Sequence, residues 1–489
     1  MQFPYGPFAP DAKETAGGIL MVADGIIPLV EGYGPAPALA TPLSATALPG
    51  TPRGVISMFQ GDGTNVVFGF TDTTAYQLNS AYGWTSVGGP FTAPPVGNDW
   101  SLTQFGNKLL ATNVNHGLTQ YDIEIPAGFA SIASAGNPRE VFVCANYVVA
   151  LDCEDDAGNR DNRLIRTSVL GNQNDFTGTG SDYQQVEDGG RLIGGLDLKN
   201  NAALIFQDNA IRLLQFGGTS TGAFSLLKVS DGRGSVGRRS ITGLDGVCYW
   251  LSTDGFKAYA GGGIEHIGAG LVDDWFLSRV DVSNLSKVQA SLDPVNKIVV
   301  WRYQSLSNTS ETVFTDIIGY SWQFRKWFTW TVDTMFLTQI ATPGITLDAM
   351  GTDYGPLDDI DIPLDSRFWQ GGQPVFAALN SLGQYATFTG GNLAAVFETG
   401  TSNSPFAGTI NRATPIDDAV GGTLQIGVKD QLSDPLEWKD GDEKTSSGYV
   451  NVRGTGQNLA WRRNIPENTP WSYAKGVDNI VAVLSTGSR

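Results

Sequence analysis

Histidine is almost missing from this chain: 489 residues hold only His116 and His266. Sites that need imidazole as ligand or base, such as His-based zinc centres and Ser-His-Asp triads, are poorly supplied, and neither histidine stands beside a nucleophile motif. Cysteine is scarce too. Cys144, Cys153 and Cys248 are an odd number in a long chain, which argues against a disulfide framework and predicts buried free thiols. Charged residues make up only 16% of the chain, too few for long solvent-facing helices, which draw on Lys, Glu and Arg. Cations are the rarer sign, 31 Lys and Arg against 49 Asp and Glu, for a net charge of -18. A surface built overall to grip nucleic-acid phosphates is excluded, whereas one past which DNA slides without sticking is not. No apolar run approaches the roughly 18 residues that span a bilayer. The opening MQFPYGPFAPDAKETAGG has neither a basic nor an apolar stretch, so no membrane span and no secretion signal are expected.

Glycine (61), proline (24) and aromatic residues (10%) are plentiful, as in chains of many short strands joined by turns. The stretch from Gly190 to Gly262 sets the theme. Two apolar runs, Ala203 to Phe206 and Ile211 to Phe216, flank Asp208-Asn209, the form of a tight hairpin. The figure returns with Val247 to Leu251, a turn at Ser252-Thr253-Asp254-Gly255, and Phe256 to Tyr259. Val247, Tyr249 and Leu251 face one way and Cys248 and Trp250 the other, so this strand must be covered on both faces. An antiparallel unit buried on both faces and repeated every 40 to 50 residues or so is what a β-propeller demands, because each blade packs between two others.

Seven units align, at Val66 (NVVFGF), Leu109 (KLLATN), Val148 (YVVALD), Leu204 (ALIFQ), Val247 (VCYWL), Ile298 (KIVVW) and Val375 (PVFAAL), with gaps of 43, 39, 56, 43, 51 and 77 residues. Return strands with an aromatic follow at Tyr76, Tyr121, Tyr259, Tyr320 and Tyr385. The sequence therefore predicts an all-β chain with a propeller of about seven blades, in the range of six to eight. Residues 1–52 read as an extended arm that packs on the C-terminal domain or on a neighbouring subunit, 53–397 as the propeller, and 398–489 as a small β domain whose alternating strands (TLQIGVKD, GYVNVRG, LAWRRNI, NIVAVLS) break the repeat and are completed by the arm. Two interruptions are expected: a short helix at Leu271–Phe276, with Leu271/Trp275 and Val272/Phe276 at i and i+4, and an irregular surface loop, GPLDDIDIPLDSRFWQGG.

Four groups of residues invite a chemical reading. Gly232, Gly234 and Gly237 match GxGxxG, which cradles a pyrophosphate when a helix follows; here strand follows, and the motif reads as an inter-blade loop. The run Asp152, Glu154, Asp155, Asp156, Asn159 and Asp161 has oxygen ligands enough for calcium but lacks the EF-hand glycine and closing acid, and reads as a solvated hairpin tip. Asp358, Asp359, Asp361 and Asp365 could supply a glycosidase's paired carboxylates, which stand about 5 to 10 Å apart across a sugar, or are simply a solvated loop. The basic pairs Arg238-Arg239 and Arg462-Arg463 are read as meeting acidic partners at an interface rather than phosphate. No catalytic, cofactor-binding or metal-binding residue is assigned.

The succession NRLIRTSVLGNQNDFTGTGSDYQQVEDGGRLIGGL, LIFQDNAIRLLQFGG, GVCYWLSTDGFKAYAGGGIEHIGAGLVDDWF, DPVNKIVVWRYQS and SWQFRKWFTW resembles the tail hub or nozzle (tail tubular-like) proteins of short-tailed bacteriophages, the podoviruses. The opening APDAKETAGGILMVADGIIPLVEGYGPAPAL and the closing WSYAKGVDNIVAVLSTGSR are similar to that family's ends. The resemblance implies a structural virion protein, not an enzyme and without cofactor, assembled in the host cytoplasm. About six copies would form a ring below the head-to-tail adaptor, around the channel through which DNA leaves, with tail fibres or spikes docked outside. The charge of -18 then suits a conduit wall that repels DNA. The competing reading is a carbohydrate-binding or glycoside-hydrolysing propeller, since one fold hosts many functions. A receptor-binding fibre would need heptads or short strict repeats, which the sequence lacks.

Overall fold

A strand with apolar residues on both faces can be satisfied only between two other sheets, and that requirement sets the architecture. The computed structural model of the chain describes residues 2–61, 65–219, 222–341, 356, 374–403 and 408–484. It is a seven-bladed propeller of four-stranded antiparallel blades with an added β domain. The first five blades are separate sheets. They open with Gly54–Phe59, Ser101–Phe105, Glu140–Cys144, Leu192–Asp197 and Thr242–Leu244 and close with Trp84–Gly88, Ala130–Ser131, Asp182–Gln185, Gly222–Asp231 and Ile264–His266.

Blade six is Gln289–Asp293, Ile298–Tyr303, Phe314–Ser321 and the first half of the 16-residue strand Lys326–Ala341. That strand runs on past a register shift at Thr334 and becomes the innermost strand of blade seven, pairing Phe336 to Ala341 with Pro374–Asn380. Tyr385–Asn392 follows, and the outermost place is taken by Pro37–Ala40 from the start of the chain. The chain then enters blade one, so a strand from one end closes the ring begun by the other.

All seven aligned sequence units are second strands, and the five tyrosines lie on third strands. On those second strands successive residues turn to opposite neighbours. Leu109 and Ala111 pack with blade one's Phe68 and Phe70, Leu110 with blade three's Val148 and Ala150, and Val149 and Leu151 with blade four's Ala203 and Ile205. Leu204 and Phe206 meet blade five's Cys248 and Trp250, and Tyr249 and Leu251 meet blade six's Val299 and Trp301. Blade seven's Phe336, Ala377 and Tyr385 close on blade one's Val67 and Val55. Each of these apolar contacts is thus an interface between blades.

The added domain is a sandwich of two sheets. One orders Leu20–Asp24, Ala395–Thr399, Asn458–Ile465, Thr423–Lys429 and Glu437–Asp440; the other orders Ile26–Pro28, Tyr33–Pro35, Ala474–Leu484, Gly408–Asp417 and Val450–Thr455, with Phe3–Pro4 on its edge. Phe397, Trp461, Ile426 and Val477 fill the space between them together with Phe3, Tyr5 and Tyr33 from the arm. Leu20–Asp24 also touches blade six, where Asp24 pairs with Thr329 in parallel, so propeller and sandwich share one sheet of 13 strands.

The helix expected near Trp275 spans Asp273–Arg279 and buries Phe276, with Val272 buried just ahead of it. The arm caps it: Asp11 accepts from the Asp274 and Trp275 N–H groups at 2.9 and 2.7 Å. Asp273 turns inward, accepts from the Phe256 N–H at 3.0 Å, and lies where a Cβ on Gly255 or Gly268 would come within 2.2 and 2.0 Å of it. The loop 355–372, apart from Pro356, lies outside the described residues.

Burial, seconded by Asp11, Asp254 and Asp274, pushes the Asp273 carboxyl up to about 6. The folded state therefore holds this proton more tightly than the unfolded chain, and the stability it contributes is present below about pH 4 and lost as pH rises through about 6. Asp273→Asn should remove on the order of 2 kcal/mol of that loss, read as a gain over wild type that grows from pH 4 to pH 7 in urea unfolding; parallel pH profiles would contradict this. Phe388, which stacks on Phe376 at 4.4 Å beneath the arm strand, should cost about 3–5 kcal/mol as Phe388→Ala, and half-buried Leu39 opposite it only about 1–2 as Leu39→Ala. Equal losses at the two positions would mean the arm strand is as deeply packed as the blade it closes.

Candidate functional site

The innermost strands of a propeller all run the same way along the axis, so the residues just ahead of them converge on one mouth. Here those residues are mostly cationic. Arg53 precedes Gly54–Phe59, Arg139 precedes Glu140–Cys144, and Arg191 precedes Leu192–Asp197; Arg238 and Arg239 form the single turn ahead of Thr242–Leu244, and Lys287 stands just ahead of Gln289–Asp293. Blade two contributes Asp99 instead. Arg302 enters from the end of Ile298–Tyr303. Two cavities of about 310 and 340 Å³ occupy the mouth and share Asp99 and Arg239, and a third of about 320 Å³ continues down the bore past Arg239.

Arg239 is the hub of this mouth. Its guanidinium lies 4.5 Å over the Phe336 ring, donates to the Arg53 carbonyl at 3.1 Å and pairs with Asp99 at 2.8 Å. Arg53 pairs with Asp72 at 2.7 Å and reaches Asp99 at 4.0 Å. Around the rim Arg238 meets Glu140 at 3.4 Å, Arg139 meets Asp152 at 3.8 Å and Arg191 meets Asp208 at 3.1 Å.

Arg302 is different. It is 3% exposed, lies 4.3 Å over the Phe314 ring, and donates to neutral acceptors only: the Gln289 side chain and the Thr312 carbonyl, each at 3.2 Å, and the Met335 carbonyl. Its Nε is buried with no partner. Among the described residues no carboxylate lies within 4 Å of Arg302 or Lys287. Burial first, then the like charge of Arg239, pushes Arg302 down to about 9. Burial also lowers Arg239 and raises Asp99, the latter against the pull of Arg239, Arg53 and Arg302. Four cations and two carboxylates, Asp99 and Glu311, therefore line the 340 Å³ cavity. Guanidinium forks and an ammonium in a partly desolvated cavity are suited to oxyanions.

The residues singled out in the sequence fall elsewhere or take structural parts. Asp152 sits in the strand Tyr147–Glu154 and pairs with Arg160 at 3.0 Å; Asp156 pairs with Arg166 at 2.6 Å; Asp155 ties the hairpin tip through the Ala157 and Asn159 N–H groups. Among the described residues no three His, Cys, Asp or Glu side chains gather as a metal site. Gly232, Gly234 and Gly237 lie in the link between blades four and five, where a Cβ at Gly234 would stand 1.6 Å from the Gln207 carbonyl oxygen. The glycine serves a close backbone approach.

His116 packs between Phe91 and Trp100, its Nδ1 accepting from the Thr92 N–H at 3.1 Å, and burial lowers its pKa. The three cysteines are buried free thiols, with Cys144 pushed up to about 12 by burial. The basic pairs meet acids within the chain: besides Arg238 and Arg239, Arg462 holds Glu398 at 2.7 Å and fully buried Arg463 holds Asp417 at 2.9 Å. Asp358, Asp359, Asp361 and Asp365 lie outside the described residues.

A separate cavity of about 470 Å³ opens between the arm and blade six, where Asp24 and Asp316 stand among Trp275, Tyr303 and Trp330. Asp24 accepts from the Thr329 and Thr331 hydroxyls at 2.8 and 3.0 Å, and Asp316 from those of Ser305 and Thr315 at 2.7 Å each. Burial raises Asp24, and the charge of Asp316 adds to it.

Neither cavity was evident from the sequence. The signal for the axial one is nonetheless there: in five of the first six units a basic residue stands eight to thirteen positions ahead of the aligned apolar strand. Its variable spacing, in irregular links, hides it from a search for periodicity.

No family model matches the chain, and no curated protein matches it. Among solved structures it is similar to a streptogramin B lyase at 12% identity over 70% of this chain and 95% of that one (TM-score 0.37). It is also similar to BamB from Moraxella catarrhalis at 13% over 88% and 92% (0.30), and to virginiamycin B lyase from Staphylococcus aureus at 11% over 60% and 87% (0.36). At these identities the likeness is one of fold alone.

Proposed function

We propose that this chain is a structural subunit of a short-tailed phage's tail, a hub or nozzle protein whose copies form a ring between the head-to-tail adaptor and the distal tail parts. The observation that carries the reading is the continuous sheet of 13 strands that joins propeller to sandwich. It makes one stiff two-lobed body, the kind of solid that closed rings are built from. The ordered sequence resemblance along most of the chain supplies the identity of the ring. The three axial cavities, each of about 310 to 340 Å³, cannot admit a duplex whose major groove alone is about 12 Å wide. On this reading DNA passes between subunits and not through a propeller.

The carbohydrate reading has one observation in its favour, the cavity where Asp24 and Asp316 stand among aromatic rings as a sugar site requires. The two readings part on assembly and turnover. Light scattering on the purified protein, alone and with the adaptor of its parent particle, should show a closed ring of about six chains. A chain that stays monomeric in both samples, or one that cleaves oligosaccharides and loses that turnover as Asp316→Asn or Asp359→Asn, would overturn the structural reading.

A further inference from the structure

We propose that the axial mouth of the propeller is a binding site for a phosphate-type oxyanion, seated against Arg302, Arg239, Arg53 and Lys287. Three observations converge on it. The first is the imbalance of charge: on a chain of net charge -18, the 340 Å³ cavity is walled by these four cations and only two carboxylates. Of the two, Asp99 is already shared between Arg239 and Arg53.

The second is Arg302 itself. A guanidinium that is 3% exposed and bonded only to neutral oxygens has no carboxylate paired with it directly, only the more distant charge of Asp99, a costly arrangement unless something anionic enters. Its Nε donor is buried without a partner. The third is orientation. Phe314 under Arg302 at 4.3 Å and Phe336 under Arg239 at 4.5 Å each give a guanidinium a ring face to rest on, so the two groups are positioned before any ligand arrives.

The titratable groups facing the cluster are Asp72, Asp99, Glu140 and Glu311, with Asp281 acting on Lys287, on the acidic side and Arg139, Arg191 and Arg238 on the basic side. The excess of cations persists across the neutral pH range. A tetrahedral oxyanion with several acceptors can engage the remaining N–H groups of Arg302 and Arg239 and the Lys287 ammonium together, which a chloride ion cannot. Free phosphate and the phosphates of a nucleotide share this chemistry. Duplex DNA is too wide for the cavity.

The test is thermal unfolding of the full chain in inorganic phosphate against sodium chloride of matched ionic strength, with a second arm in ATP. Phosphate should raise Tm by about 2 °C or more at saturation, since a ligand that binds only the folded state stabilises it. A larger shift with ATP than with phosphate would assign the site to a nucleotide, and equal shifts to the free anion. Arg302→Met and Lys287→Met should each abolish the shift, whereas Lys439→Met, an exposed lysine of the sandwich strand Glu437–Asp440, should keep it. Arg302→Met should also raise Tm in chloride, because it removes an unpaired buried charge. If that variant fails to fold, Lys287→Met decides. Identical Tm in phosphate and chloride, or an undiminished shift in Lys287→Met, overturns the proposal.

Discussion

The structure depends on one constraint, the burial of each blade's second strand on both faces. A strand such as Val247–Ser252, with Cys248 and Trp250 against one neighbour and Tyr249 and Leu251 against the other, is stable only when a blade lies on either side. No blade can satisfy itself, so the units must continue until the ring closes. Closure brings residues from the two ends of the chain into one blade. It falls to Pro37–Ala40, which reaches the edge of blade seven from the other end of the chain.

The same arm then binds the second lobe. Its strands pass through both sheets of the sandwich, Asp11 caps the helix Asp273–Arg279, and Asp24 ties blade six to the sandwich through Thr329 and Thr331. Parts far apart in sequence share one apolar cluster, from Phe3 and Tyr5 to Trp327 and Trp461. Flexing propeller against sandwich would have to break that cluster. Under the tail-ring proposal, a subunit that must stay aligned while DNA passes would be served by this stiffness.

Much of the blade pattern was legible because burial on both faces writes itself into consecutive apolar residues, and because tight turns such as Asp208-Asn209 call for particular residues. Val375 stood out for that reason even after a gap of 77 residues. What was hidden in that gap is the first strand of blade seven. It continues without a turn from the rim of blade six to the axis through Val332-Asp333-Thr334-Met335, so no glycine or proline marks the passage. The arm's pairing partners were equally hidden, since strands of three to five residues rich in proline and glycine carry little periodicity. The axial cations leave no periodic mark for a different reason. Net charge averages over the whole surface, and a chain of -18 can still gather its arginines where the innermost strands begin.

The central claim, that a propeller closed by its own N-terminal arm is fused to a sandwich as one building block of a tail ring, is met most directly by a cryo-electron microscopy map of the parent particle. The account predicts copies related by a rotation axis around the DNA path, each with seven blades and residues 37–40 outermost on the seventh. Copies absent from the tail, or a propeller closed without that strand and free to swing against the sandwich, would contradict it.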